Sequence, residues 1–153
     1  MSFVLVALAS PAMAKDGDRS DSDQIIMGAW SNPADCNRRN ASHLGYLEFL
    51  ARFQSLKGLC VAVEGYWYGR ALFVSSRDAR ADRSNVARHL RHKRLGLYAR
   101  TELLETAPSE PERYLIVGRA GECETQWPEA MMVMGYCHYT GGPILLVSEA
   151  FRR

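Results

Sequence analysis

The chain lacks most of the short motifs that identify enzymes. It contains no G-x-S-x-G, P-loop, G-x-G-x-x-G or H-E-x-x-H pattern. Its four cysteines form no C-x-x-C pair, which argues against a thioredoxin-like redox site or a zinc ribbon. We therefore predict no catalytic residues, no metal site and no cofactor.

Strong net charge and long apolar runs are also missing. A formal charge of +2 gives no overall attraction to nucleic acid, so nucleic acid is not favoured as a partner. No run approaches the roughly 18 apolar residues of a membrane-spanning helix, which predicts no transmembrane segment after signal cleavage. Positive charge is nevertheless concentrated between residues 77 and 100, where it forms either an anion-binding or a solvated face. The predicted basic patch consists of Arg83, Arg88, Arg91 and Arg94.

The beginning of the chain resembles an export signal. Residues 3–9 are apolar, Pro11 ends the run, and Ala-Met-Ala at 12–14 matches the small-x-small pattern before a cleavage site. The polar, acidic stretch that follows is typical of disorder. The apolar run is short and no Lys or Arg precedes it, which a start codon further upstream would explain. An apolar terminus of a cytosolic protein is the alternative. We predict a signal peptide over 1–14, a disordered leader over 15–24 and one globular domain over 25–153, secreted or periplasmic.

An even number of cysteines in an exported chain predicts two disulfides without a leftover thiol. Three pairings of Cys36, Cys60, Cys123 and Cys137 are possible, and spacing does not decide among them. Pairing Cys36 with Cys60 and Cys123 with Cys137 is favoured because each bond closes a short segment.

Hydrophobic periodicity predicts a mainly β chain behind one helix. Apolar residues recur at helical spacing from Tyr46 to Leu56, with Asn40 or Ser42 as the cap and Lys57-Gly58 as the end. A second, basic helix is predicted over 82–93, and a loop with one helical turn over 101–113. Strands are predicted over 59–67, 70–75, 95–100, 114–118, 131–140 and 144–148.

The segments 60–65, 70–73, 95–98, 114–118 and 131–139, with their glycine-marked bends, resemble the strands of an OB-fold across residues 57–148. The resemblance implies a mainly β (α+β) fold, a small five- to six-stranded OB-like barrel with an N-terminal amphipathic helix. A compact β-sandwich and an α+β roll are the alternatives. The resemblance also implies an interior filled by Val61, Val63, Leu72, Leu97, Ile116 and Val133.

One group of residues combines aromatic rings with an arginine. In an OB-like barrel such rings stack on flat ligands or sugar rings while Arg binds charged groups. The alternative is that the rings fill the core and their hydroxyls reach water. The candidate ligand-binding residues are Tyr66, Trp67, Tyr68, Arg70, Tyr98, Tyr136 and Tyr139.

We therefore interpret the chain as an exported, disulfide-stabilised, non-catalytic binding or interaction domain of the cell envelope. Its expected partner is a saccharide, an anionic ligand or an envelope protein. A structural subunit of a larger assembly is a third possibility. The alternative from a different class is a small metal-dependent or Cys/His hydrolase built on Cys137 and on His89, His92 and His138. Two objections weigh against the Cys/His site: neighbouring residues of a strand point to opposite faces, and a disulfide at Cys137 would leave no free thiol.

Overall fold

The structure is a computed structural model that describes residues 24–82 and 93–153. The predicted signal peptide, the leader up to residue 23 and most of the predicted second helix lie outside these residues. So do Arg83, Arg88 and Arg91 of the predicted basic patch, together with His89 and His92.

Short strands and shorter helices alternate along the described chain. In chain order these elements are β1 (Ile25–Ile26), β2 (Ser42–Gly45), α1 (Tyr46–Leu56), β3 (Cys60–Tyr68), β4 (Ala71–Phe73), α2 (Ser76–Asp82), β5 (Arg94–Tyr98), α3 (Thr101–Glu105), β6 (Glu112–Glu122), β7 (Met132–Val133), α4 (Tyr136–Tyr139) and β8 (Pro143–Arg152).

Five of the strands close into a barrel. The sheet order runs β3, β4, β5, β8, β6, and β6 pairs again with β3. The β5–β8 pair is parallel, whereas the other four pairs are antiparallel. Closure leaves each barrel strand paired on both sides, which removes the exposed edges of an open sheet. The predicted mainly β, OB-like barrel is confirmed.

The interior follows from the alternation of side chains along each strand. Val61 and Val63 point into the barrel, while Ala62 between them belongs to a separate cluster on the outer face. The core prediction is confirmed at five positions, which are Val61, Val63, Leu72, Leu97 and Ile116. The prediction is wrong for Val133, which is only partly buried and packs against a second cluster, because its segment pairs with β1 and not with a barrel strand.

The helix α1 packs one apolar face against the barrel core. Tyr46, Phe49, Phe53 and Leu56 are buried on that face, as the periodicity predicts. Gly58 follows with a φ of +80°, which confirms the predicted helix end.

The predicted cap of α1 is wrong. The N-cap is Gly45, without a side-chain hydrogen bond, because the preceding residues form strand β2. That strand pairs in parallel with β3 and buries Leu44 in the core. A pairing with a strand further along the chain gives no local signal in the sequence.

The predicted strand over 131–140 is also wrong. Within this segment only Met132–Val133 forms a strand, and it pairs with β1 rather than joining the barrel. Gly135 then adopts a φ of +88° and the chain enters α4. The last barrel strand is instead β8, which is longer than predicted. The helical turn predicted within 101–113 is confirmed as α3.

Both favoured disulfides are present. Cys36 is bonded to Cys60 and Cys123 to Cys137, with 5.4 Å between the Cα atoms in each pair. Among the described residues, no helix has the length and apolar character needed to span a membrane.

Candidate functional site

A cavity of about 430 Å³ opens at one side of the barrel. Its walls come from the turn between β3 and β4, from the beginnings of β4 and β5, and from the β6–β8 connection, residues 123–142. We call it the pocket. It is lined by Tyr68, Gly69, Arg70, Ala71, Arg94, Gly135, Tyr136, Tyr139 and Thr140.

Tyr136 contributes the most buried ring of the pocket. It is 7% exposed and lies directly against the backbone of β5 at Gly96. A Cβ atom at position 96 would overlap the Cδ1, Cε1 and Cγ atoms of the ring. A glycine in β5 is therefore required for Tyr136 to pack this closely on the strand.

Tyr98 fixes the β6–β8 connection onto the barrel. Its hydroxyl donates to the carbonyl oxygen of Met134 at 2.6 Å and accepts from the amide of Cys137 at 3.0 Å. Burial raises the pKa of Tyr98, against the smaller opposing effects of the Cys137 amide and the Arg70 guanidinium. The hydroxyl consequently keeps its proton at neutral pH and can serve as a donor.

Further bonds hold the two ends of the same connection together. The Cys123 amide donates to the Gly142 carbonyl at 3.0 Å, and the Gly142 amide donates to the Glu124 carboxylate at 2.9 Å. The Cys123–Cys137 disulfide adds a covalent tie to α4. The segment that carries Tyr136 and Tyr139 is thus fixed from both sides.

Two arginines give the pocket its charge. The Nη1 atom of Arg70 lies 3.1 Å from the position that a Cβ atom of Gly135 would occupy, beside the Tyr98 hydroxyl. Arg94 begins β5 and is half-buried. No carboxylate is among the lining residues, so the described walls carry only positive formal charge.

The predicted ligand-binding residues separate into two groups. Tyr68, Arg70, Tyr136 and Tyr139 line the pocket, and Tyr139 is 79% exposed. Trp67 lies in the barrel core at 2% exposure and donates from Nε1 to the Gly69 carbonyl at 2.8 Å.

Tyr98 and Tyr66 do not line the pocket either. Tyr98 lies behind its wall, where Trp127 meets it edge-on at 5.2 Å between ring centroids. Tyr66 is half-buried outside the barrel interior.

Arg94 is the residue that sequence reasoning did not connect with the aromatic group. The sequence predicts Arg94 only as part of the basic patch, because it lies within the run of basic residues between 77 and 100. The pairing of β4 with β5 places Arg94 opposite Phe73, two residues from the start of β4. The sequence predicts a strand over 95–100, which begins one residue after Arg94, but it does not predict which strand lies beside it.

Of the two objections to the Cys/His hydrolase alternative, the one from strand geometry is wrong and the one from a disulfide at Cys137 applies. Cys137 and His138 lie on the short helix α4, so the argument from strand geometry does not apply. The Cys137 sulfur is bonded to Cys123 and is therefore not a thiolate nucleophile in this structure. Within residues 24–82 and 93–153, no three His, Cys, Asp or Glu side chains are grouped as metal ligands would be.

No protein-family model, curated protein or solved structure matches the chain. Function is therefore inferred from the pocket itself.

Proposed function

We propose that this protein is an exported, non-catalytic binding domain that holds a small ligand in the pocket. The observation that carries the proposal is the convergence of Tyr68, Arg70, Tyr136 and Tyr139, from two distant parts of the chain, on one cavity with Arg94. The ligand classes that suit these side chains are a saccharide, an anionic small molecule or a segment of an envelope protein.

The position of the pocket in the barrel supports this proposal. OB-folds bind ligands on the face of their second and third strands, between the loops that follow the first and fourth strands. In this barrel those strands are β4 and β5, and those loops are the Gly69-Arg70 turn and the β6–β8 connection. The pocket lies at the corresponding position of this barrel, which supports binding by analogy with other OB-folds.

The chemistry of the walls also favours binding. Pockets for small molecules typically measure about 300–1,000 Å³ and combine apolar surface with a few polar groups. This pocket has tyrosine rings for contact area and arginines for orientation. The described lining residues include no Cys, His, Asp or Glu that could act as a nucleophile or a general base, so their tyrosines and arginines suit recognition better than bond cleavage.

We propose the periplasm or the extracellular space as the location. Structural disulfides persist mainly in oxidising compartments, and the chain has two of them. The predicted cleavage after Ala14 gives a direct test by intact mass. The expected product begins at Lys15 and carries four oxidised cysteines. A full-length product with alkylatable thiols would contradict export.

Binding is tested by titrating ¹⁵N-labelled protein with a library of saccharides and small anions. We expect amide shifts to concentrate at Arg70, Gly96 and 135–140, and Tyr139→Ala to abolish them. Leu47→Ala is the control because Leu47 is also an exposed apolar side chain, on α1 and not among the lining residues. Shifts that map to another surface, or that persist in Tyr139→Ala, would show that the pocket is not the binding site.

A further inference from the structure

We infer that the pocket binds an acidic sugar, meaning one pyranose-sized ring that carries a carboxylate or a phosphate. Arg70 would bind the oxyanion, and the tyrosines would contact the ring. This inference rests on the proposed function, since it names the ligand of the same site.

The charge of the walls favours an anion over a neutral saccharide. Arg70 lines the pocket and makes no ion pair or side-chain hydrogen bond with any residue in the described part of the chain. Arg94 adds a second positive charge to the same walls. Since no carboxylate lies among the described lining residues, an incoming oxyanion meets an attractive field, and it can bind Arg70 without displacing a partner of that side chain.

The backbone of Arg70 is well fixed for this role. Gly69 makes the turn with a φ of +56°, and its carbonyl accepts the Trp67 indole N–H. The Arg70 carbonyl accepts the amide of Leu97 at 2.9 Å, which ties the turn to β5. The guanidinium is therefore presented from a rigid point, and binding an oxyanion orders only one side chain. Its planar fork matches the two oxygens of a carboxylate or a phosphate.

The rings favour a sugar over a bare inorganic anion. Tyr139 exposes 79% of its surface, although an aromatic ring of this size is normally covered. Its ring meets His138 edge-on at 4.5 Å between centroids. Tyr68 is half-buried at the end of β3 and supplies a second ring with a hydroxyl to the pocket. A pyranose ring likewise has an apolar C–H face and hydroxyls around its edge, so it can stack on a tyrosine ring and hydrogen-bond to the tyrosine hydroxyl.

The size of the pocket limits the length of the ligand. At about 430 Å³ it lies near the lower end of the range for small-molecule sites, roughly 300–1,000 Å³. Tyr136 and Gly96 close it on the barrel side, where no further space extends beneath the ring. This favours one or two sugar rings over a long polymer lying across the barrel.

The test is isothermal titration calorimetry with four probes that vary charge and ring separately. These are D-glucose, D-glucuronate, glucose 6-phosphate and inorganic phosphate. We expect at least one acidic sugar to bind about 10-fold or more tightly than both glucose and phosphate, because hydrogen bonds to charged groups add substantially to affinity. The two acidic sugars distinguish a carboxylate ligand from a phosphate ligand.

Variants connect this preference to Arg70. Arg70→Gln should weaken binding of the acidic sugar about 10-fold or more, and Arg70→Lys should weaken it less because the charge is kept. Arg153→Gln removes the same charge beyond the far end of β8 and should leave affinity unchanged. Unchanged thermal melting of Arg70→Gln will show that the variant is folded.

Three results would overturn the inference. The first is equal binding of glucose and its acidic analogues; if Tyr139→Ala abolishes that binding, the pocket remains a binding site and only the charge preference fails. The second is phosphate binding as tightly as glucose 6-phosphate, with glucuronate inactive, because the ring then contributes nothing. The third is that neither acidic sugar binds, which leaves the proposed function to be decided by the wider library.

Discussion

The two disulfides stabilise regions of different character. Cys36 is fully buried on the outer face of the barrel, where it packs with Ala62, Leu115 and Val117. The bond from Cys36 to Cys60 therefore joins the loop before β2 to the body of the barrel. Cys123 and Cys137 are both partly exposed, and their bond holds the β6–β8 connection against the pocket.

Loop length alone would make the two bonds nearly equivalent. They span 24 and 14 residues, and in the chain-entropy model this difference changes the stabilisation by only about 0.5 kcal/mol. The two bonds differ in their surroundings: the first is packed against the barrel, and the second is partly exposed beside the pocket. We conclude that the first disulfide mainly supports the barrel, while the second mainly shapes the pocket.

Trp67→Ala should give the largest loss of stability. Trp67 is a fully buried ring of the barrel core, in edge contact with Tyr114 at 5.0 Å between centroids. Its removal should lower the free energy of unfolding by about 3–5 kcal/mol, from lost burial and the cavity left behind. Urea denaturation measures the change. A loss below about 1 kcal/mol would mean that the ring is not part of the core.

Cys36→Ala with Cys60→Ala should have the next largest effect. Opening this bond should lower the free energy of unfolding by roughly 3–4 kcal/mol, because the unfolded chain regains the entropy of a closed loop. The matched control is Cys123→Ala with Cys137→Ala, for which we expect a smaller loss of about 2–3 kcal/mol. Urea denaturation of the two double variants under identical conditions shows which disulfide contributes more to stability. A larger loss from the control would reverse the assignment of roles.

Gly96→Ala should disturb the pocket more than the barrel. The new methyl group would overlap the Tyr136 ring, which has to move off β5. We expect a loss of about 1–2 kcal/mol, as for other cases of overpacking. Amide chemical shifts should change mainly at 134–140. Retention of the wild-type shifts there would contradict the close packing of Tyr136 on Gly96.

Tyr139→Ala should have the smallest effect on stability. Because the side chain is mostly exposed, the free energy of unfolding should change by no more than about 0.5 kcal/mol. Ligand binding, however, should be lost. Comparison with Trp67→Ala distinguishes residues that stabilise the barrel from residues that bind the ligand. Thermal melting measures the stability of each variant, and calorimetry measures its ligand affinity. A strongly destabilised Tyr139→Ala variant would show that this ring stabilises the fold, as Trp67 does.

Much of the barrel could be predicted because its signals are local. The alternation of Val61 and Val63 with Ala62 identifies a strand and its inner face, and Gly58 identifies the end of α1. The spacing of the cysteines also favoured the correct pairing among three. These features depend on residues that lie close together in the sequence.

The site was harder to predict because distant contacts determine it. The apolar stretch 131–140 has the composition of a strand, but the turn at Gly135, the disulfide from Cys137 and the Tyr98 hydroxyl hold it as α4. The same contacts place Tyr136 and Tyr139 beside Arg70. Arg94 lies in the same pocket because β5 pairs with β4. The residues around Arg94 in the sequence do not indicate which strand β5 pairs with.

Hydrogen exchange of the Cys123→Ala, Cys137→Ala variant is the most direct test of this division between barrel and site. The account predicts faster amide exchange over 123–142, including the Cys137 amide that donates to Tyr98, with β3 and β6 as protected as in the wild type. An equal loss of protection throughout β3, β6 and the β6–β8 connection would contradict it, since the pocket segment and the barrel would then unfold as one unit.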